Sequence, residues 1–229
     1  VTGHPARRAG ATARPLKQRK PQQRSADTRL KLAQATIDLM VERGYAGLSV
    51  TDIQDRAGVS NGARVHHFPT KSSLVIAAVA QFLQHGNRSG GERARNAAKP
   101  RAAVRAMIED LYALYFEEFF IPAAESAIAA RTDKVLAKGL HPVVAEYHRT
   151  NRGIWRRALE RAGYAKRDAR FLYELCKWVL RGMALTSMWH PTPTQNRRFL
   201  IELERAMLRS VPAQTRAASD PPPGMAKNR

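Results

Sequence analysis

Apolar residues recur at helical spacing through almost all of residues 27–208, and nowhere do they alternate as a half-buried strand requires. Leu32, Ala35, Leu39 and Met40 lie at offsets of 0, 3, 7 and 8. Val104, Met107, Ile108, Leu111, Leu114, Tyr115 and Phe119 repeat the stripe further along, and no hairpin signal interrupts it. A helix with an apolar stripe must bury it against other helices, so the expected fold is all-α. With 229 residues the chain can bury a sizeable core unaided. Cys176 is the only cysteine, which excludes an intramolecular disulfide and a Cys-based zinc site.

Capping residues and glycines divide this pattern into helices. The first is expected from Asp27 to Arg43, ended by Gly44, because glycine tolerates the left-handed conformation. Ser49 caps a short second helix, Val50 to Ala57, and Gly58 closes it. Ser60 caps a third to about His67, and Thr70 a fourth from Lys71 to about His85. Gly86 to Pro100, polar and glycine-bearing, reads as a loop plus frayed helix ends. A long helix from about Arg101 through Phe119 should stop or kink at Pro122. Others are expected at about 142–162, 168–189 and 194–208. Residues 1–25 lack large apolar side chains and read as a disordered basic arm, and 212–229 as a disordered tail. A reading domain at 26–85 and a helical body at 86–211 fill the interval.

The formal net charge of +20 favours a polyanionic partner. Residues 1–25 hold seven Arg and Lys and no acid, whereas 26–85 hold six bases and five acids. The excess therefore sits mainly outside the segment that carries the most informative motif. No apolar run approaches the roughly 18 residues of a membrane span, and no signal-peptide core stands at the start, so a cytoplasmic protein is expected.

That motif runs from Ser49 to Lys71. Two short serine-capped helices flank Ala57-Gly58-Val59, the layout of a helix-turn-helix whose second helix can enter a major groove. Taken with Arg43-Gly44-Tyr45, Ser49-Val50-Thr51-Asp52-Ile53, Arg56 to Gly62, His66-His67-Phe68, Lys71 and Leu74, the segment 27–85 resembles the TetR family of bacterial transcriptional regulators. The resemblance implies a homodimer on a palindromic operator in double-stranded DNA, probed by Ser49, Thr51, Ser60, Asn61, Gly62, Val65, His66 and Lys71. Hydroxyls at helix starts suit phosphate, and Asn61 suits adenine N6 and N7. Two positions depart from the family pattern. Val65 replaces a common tyrosine, and Arg64 replaces a buried aliphatic residue. Either the Arg64 stem packs while its head reaches out, or the third helix is rotated.

The resemblance also implies a small-molecule effector enclosed by the body, for which Met107, Leu111, Tyr115, Phe119, Tyr147, Trp155, Trp178 and Met183 are candidates. It implies dimerisation through the last two helices, with Leu175, Val179, Phe199, Leu203 and Met207 as candidate interface residues. Helix 168–189 adds its own support, being apolar on more than one side. No cofactor, metal site or catalytic motif is expected: the adjacent His66 and His67 would point about 100° apart on a helix, and His141 and His148 lack a third ligand. The expected function is a sequence-specific transcriptional regulator, a repressor released by a small apolar ligand. The alternative is a basic architectural protein that coats nucleic acid without reading sequence.

Overall fold

Four helices begin on side-chain caps, and those caps explain where the chain changes direction. The computed structural model describes residues 21–189, 193–211 and 213. The helices are α1 (Pro21–Arg43), α2 (Val50–Ala57), α3 (Asn61–His67), α4 (Lys71–Arg95), α5 (Pro100–Tyr115), α6 (Phe120–Ala129), α7 (Lys134–Arg161), α8 (Lys166–Thr186) and α9 (Pro193–Ser210). The fold is all-α, with no strand among the described residues. Ser49 accepts from the Asp52 N–H, Ser60 from that of Ala63, and Asp133 from those of Val135 and Leu136. Thr70 and Ser73 exchange bonds in a capping box. Each such cap contributes about 1 kcal/mol. Gly44 (φ 69°) and Gly58 (φ 62°) take the left-handed turns expected of them.

Helices α1, α2 and α3 close around Leu39, Met40, Leu48, Ile53 and Phe68, all buried. Helix α4 lies along α1 at its start and continues into the body, where α7 and α5 flank it. Helix α8 packs on α5 and α7, and α9 on α5. Trp155 and Tyr173, in the body, are the largest fully buried side chains of the single core that runs through both parts. No helix among the described residues is long and apolar enough to cross a membrane.

The main departure from expectation is at Gly86. A loop was expected from Gly86 to Pro100, yet α4 runs on to Arg95, across the expected domain boundary. Gly86, Gly90 and Ala94 are spaced by four and all buried. A methyl at Gly86 would stand 2.8 Å from Leu114 Cδ1, and one at Gly90 would stand 2.7 Å from Asp110 Oδ2 and 3.3 Å from Asn151 Nδ2. These glycines are sites of close helix approach. The packing gained there offsets the roughly 1 kcal/mol that each costs a helix.

The two prolines also read differently in place. Helix α5 ends at Tyr115, Phe119 becomes the N-terminal flank of α6, and Pro122 sits in the first turn of α6, where no N–H is needed. Helix α7 starts eight residues before Pro142, because the Asp133 cap and the buried Leu136 and Leu140 hold its first turns. Pro142 itself is exposed inside the helix. Residues 21–25 of the expected arm are the first turn of α1. Gln22, Gln23 and Arg24 are adequate helix formers, and extending a nucleated helix needs no buried surface. The rest of the arm (1–20) and, apart from residue 213, the tail expected at 212–229 lie outside the described residues.

Replacing Gly90 with alanine should lower stability by about 1–3 kcal/mol through overpacking against Asp110. Denaturant melting checks this. A variant as stable as the parent, or more stable as alanine normally makes a helix, would contradict the close approach of α4.

Candidate nucleic-acid interface and effector cavity

Helix α3 is held from three sides. Ile53, fully buried, fixes α2 against α1, and Gly58 donates its N–H to Asp55 while Val59 donates to Gln54, closing the turn. Two surface ion pairs span α1 and α2: Arg43 to Asp52 at 2.5 Å, and Arg56 to both Glu42 oxygens at 2.7 and 2.9 Å. Exposed pairs of this kind contribute little stability. They fix orientation. The third support is Phe68, buried immediately beyond α3.

Thr51, Ser60, Asn61, Gly62, Val65 and His66 are all exposed, and Val65 leaves 45% of its surface to solvent. The expected reading face is therefore open. Ser49 and Lys71 are half-buried and already engaged, Ser49 as a cap and Lys71 with its ammonium 4.7 Å from the Tyr45 ring centroid. Partial burial lowers the Lys71 pKa from its ordinary value.

Arg64 was expected either to snorkel or to rotate the helix. Its stem packs, and its guanidinium turns back along the chain. Nη1 donates to the carbonyls of Phe68 (3.1 Å) and Pro69 (3.2 Å), and Nη2 donates to Asn61 Oδ1 at 2.6 Å. One side chain thus satisfies carbonyls at the end of α3 and orients the amide at its start. The signal was present in sequence as a base in the last helical turn, three residues after an asparagine.

Two hydrogen bonds tie this head to the body beside the packing of α4. The Tyr45 N–H donates to Glu125 Oε2 of α6 at 2.7 Å, and Ser72 donates to Asp133 at 3.4 Å. The Arg-rich run of α7 is mostly occupied internally. Arg149 pairs with Glu146, Arg152 with Glu174 and Arg156 with Glu160, while Arg161 donates to the Ala94 carbonyl.

A cavity of about 280 Å³ opens among α4, α5, α6, α7 and α8, with Tyr115, Tyr147, Phe120, Leu140, His148 and Arg181 in its wall. Of the eight effector candidates only Tyr115 and Tyr147 line it. Met107, Leu111 and Trp155 are core, without exposed surface. Trp178 is 60% exposed on the outside of α8, and Met183 is half-buried away from the cavity wall. Phe119 borders a different cleft, of about 490 Å³, between α1, α4 and α5.

The interface candidates divide in the same way. Leu203 and Met207 are buried on the side of α9 that packs on α5, where Glu204 accepts from Arg101 and Arg105. They belong to the subunit's own core. Leu175 and Val179 are half-buried and Phe199 is 44% exposed; Phe171, Trp178 and Ile201 are further exposed apolar residues on these two helices.

Residues 32–86 match the sequence pattern of the bacterial regulatory proteins, tetR family. The chain is 28% identical over 173 residues to the HTH-type transcriptional regulator CymR of Pseudomonas putida, covering 76% of this chain and 85% of that one. A solved TetR-family transcriptional regulator from Agrobacterium tumefaciens superposes with a TM-score of 0.60 at 24% identity, over 82% of this chain and 98% of its own. The multidrug binding protein EbrR, solved in complex with ethidium, superposes with a TM-score of 0.58 at 23% identity, over 80% and 98%.

Arg64→Met should speed hydrogen exchange at the Phe68 amide and cost about 1–2 kcal/mol of stability, since three hydrogen bonds are lost at a partly exposed site. Unchanged exchange in α3 would show that Arg64 does not hold the helix.

Proposed function

The chain belongs to the TetR family of bacterial transcriptional regulators, which bind DNA, and on that premise we propose that it is a repressor. Its two-fold dimer reads a palindromic operator and leaves it when a small, mostly apolar ligand enters the body. The open face of α3 carries this reading: Asn61, Gly62, Val65 and His66 project from a helix capped by Ser60 and clamped by Arg64. Asn61 Oδ1 accepts from Arg64 and keeps a second lone pair, so the amide is oriented for a bidentate contact with adenine. Val65 offers an apolar contact of the kind a thymine methyl takes. Lys71, held beside Tyr45, is positioned for phosphate.

Release requires unequal ligand affinity for the two states of the protein. Helix α6 supplies Phe120, Ala123 and Ala127 to the cavity wall and, through Glu125, grips the Tyr45 N–H of the reading head. A ligand that displaces α6 pulls on the turn between α1 and α2. The dimer is formed by the outer faces of α8 and α9, where Phe171, Trp178, Phe199 and Ile201 are exposed.

On a duplex selected from a random pool, Asn61→Ala should relax preference at one base pair by about 1–3 kcal/mol. Lys71→Ala should weaken binding to every sequence and flatten its salt dependence. Uniform binding to all duplexes by the parent would instead mark a basic architectural protein. The pair Trp178→Glu and Phe199→Glu should sediment at the 25.5 kDa monomer mass with the heads still folded. A variant that remains dimeric would place the interface elsewhere.

A further inference from the structure

Resting on the reading of the α4–α8 cavity as the effector site, we infer that its ligand is an organic anion, a carboxylate carried on a compact apolar body. Among the residues in the wall, Arg181 is the only one with a full charge, and no Asp or Glu accompanies it. No described carboxylate forms an ion pair with Arg181. Its guanidinium reaches His148 Nε2 from Nη2 at 2.9 Å and lies 5.5 Å from the Tyr115 ring centroid, while its Nε is buried without a partner. A half-buried cation with no counter-charge, beside an otherwise apolar hollow, recruits an anion.

Three further polar groups belong to residues of the same wall. The hydroxyl of Tyr147 and Nδ1 of His148 are buried and unpartnered, and the buried Tyr115 hydroxyl has only the neighbouring Arg181 guanidinium beside it. Several buried polar atoms among the described residues lack a partner, and four of them belong to residues of this one wall, a concentration that favours a ligand carrying oxygens. All four act as donors. Burial pushes the Tyr115 hydroxyl up to about 12, Arg181 offsetting part of this, and raises that of Tyr147 in the same direction, so both keep their protons at neutral pH. Burial, reinforced by Arg181, Lys177 and Arg152 against the opposing Glu174, brings His148 down to about 4. The imidazole is therefore neutral, accepts from Arg181 at Nε2 and carries its proton on Nδ1. Arginine, two phenols and an imidazole N–H suit carboxylate oxygens. The guanidinium charge disfavours a cation in the same space.

The remaining wall is apolar: Val79, Phe82, Leu114, Phe120, Leu140 and Leu185. At about 280 Å³ the space lies at the small end of ligand cavities, which suits one substituted ring or a medium-length chain.

The test titrates the full chain by calorimetry with 4-tert-butylbenzoate and decanoate, with the primary amide of each, and with ethidium as a cationic probe. Each acid should bind at least ten-fold more tightly than its amide and more tightly than ethidium. Arg181→Met should bring acid affinity down to that of the amide, and Tyr147→Phe should weaken the acid several-fold more than the amide. Should Arg181→Met not fold, the acid–amide comparison on the parent and Tyr147→Phe still decide. Equal binding of acid and amide, preference for ethidium, or an acid preference that survives both substitutions overturns the inference. DNA release is read separately by gel shift. Acids that bind and leave the DNA complex intact overturn the repressor-release reading while the ligand class stands. Release by amides alone overturns the class and keeps the release.

Discussion

The close approach of α4 to α5 and α7 is the contact on which the other features depend. It exists because Gly86 and Gly90 present no side chain where Leu114, Asp110 and Asn151 come nearest. Through it one unbroken helix of 25 residues starts at the Thr70 cap beside the reading head and runs along the body. The far end is anchored by chemistry as well as packing. Asp110, nearly fully buried, accepts from Arg93 of α4 at 2.9 Å and from the Trp155 indole of α7 at 3.0 Å. Burial raises its pKa, and the two donors oppose that rise. Removing Arg93 leaves the buried carboxylate without a counter-charge, which is far more costly than the pair is stabilising. Head and body are therefore joined by a rigid element, and the position of α3 is set by the packing of the core.

On the proposed reading, affinity and specificity are separated along this chain. The near-neutral segment 26–85 carries the exposed reading residues, while the first 25 residues hold seven positive charges without an acid. Phosphate attraction is long-range and indifferent to sequence, so it can come from a basic segment outside the helix-turn-helix. Base reading is short-range and needs fixed geometry, which the Ser60 cap and the Arg64 clamp provide. The cavity follows the same logic in reverse: its wall is mostly apolar, and direction is supplied by a few polar groups around Arg181.

Local chemistry was legible, and long-range packing was not. Ser49, Gly58, Ser60 and Thr70 act on backbone groups within three or four residues, so the bounds of α2 and α3 could be read from residue type alone. Gly86 was misread because a glycine at a helix crossing and one at a helix end are the same residue in sequence. Pro122 and Pro142 were misread for a related reason, since whether a proline begins a helix or sits within one depends on the neighbouring cap. Met107, Leu111 and Trp155 looked as suitable for a cavity as Tyr115 and Tyr147. Only the unfilled gap between helices separates them, and periodicity says nothing of gaps. Arg181 escaped notice because an apolar stripe is traced by ignoring charges. Leu203 and Met207 carry the same stripe as an interface would, yet α5 of their own subunit covers them.

In the proposed dimer α3 is held on the body and the outer faces of α8 and α9 join two bodies, so the distance between the two reading helices is fixed as well. Hydroxyl-radical footprinting of the full chain on a duplex selected from a random pool measures that distance most directly. The account requires two symmetric protected half-sites whose centres are about one helical turn, roughly 34–36 Å, or a whole multiple of it apart. Protection of a single half-site, or a continuous footprint without two-fold symmetry, would contradict it.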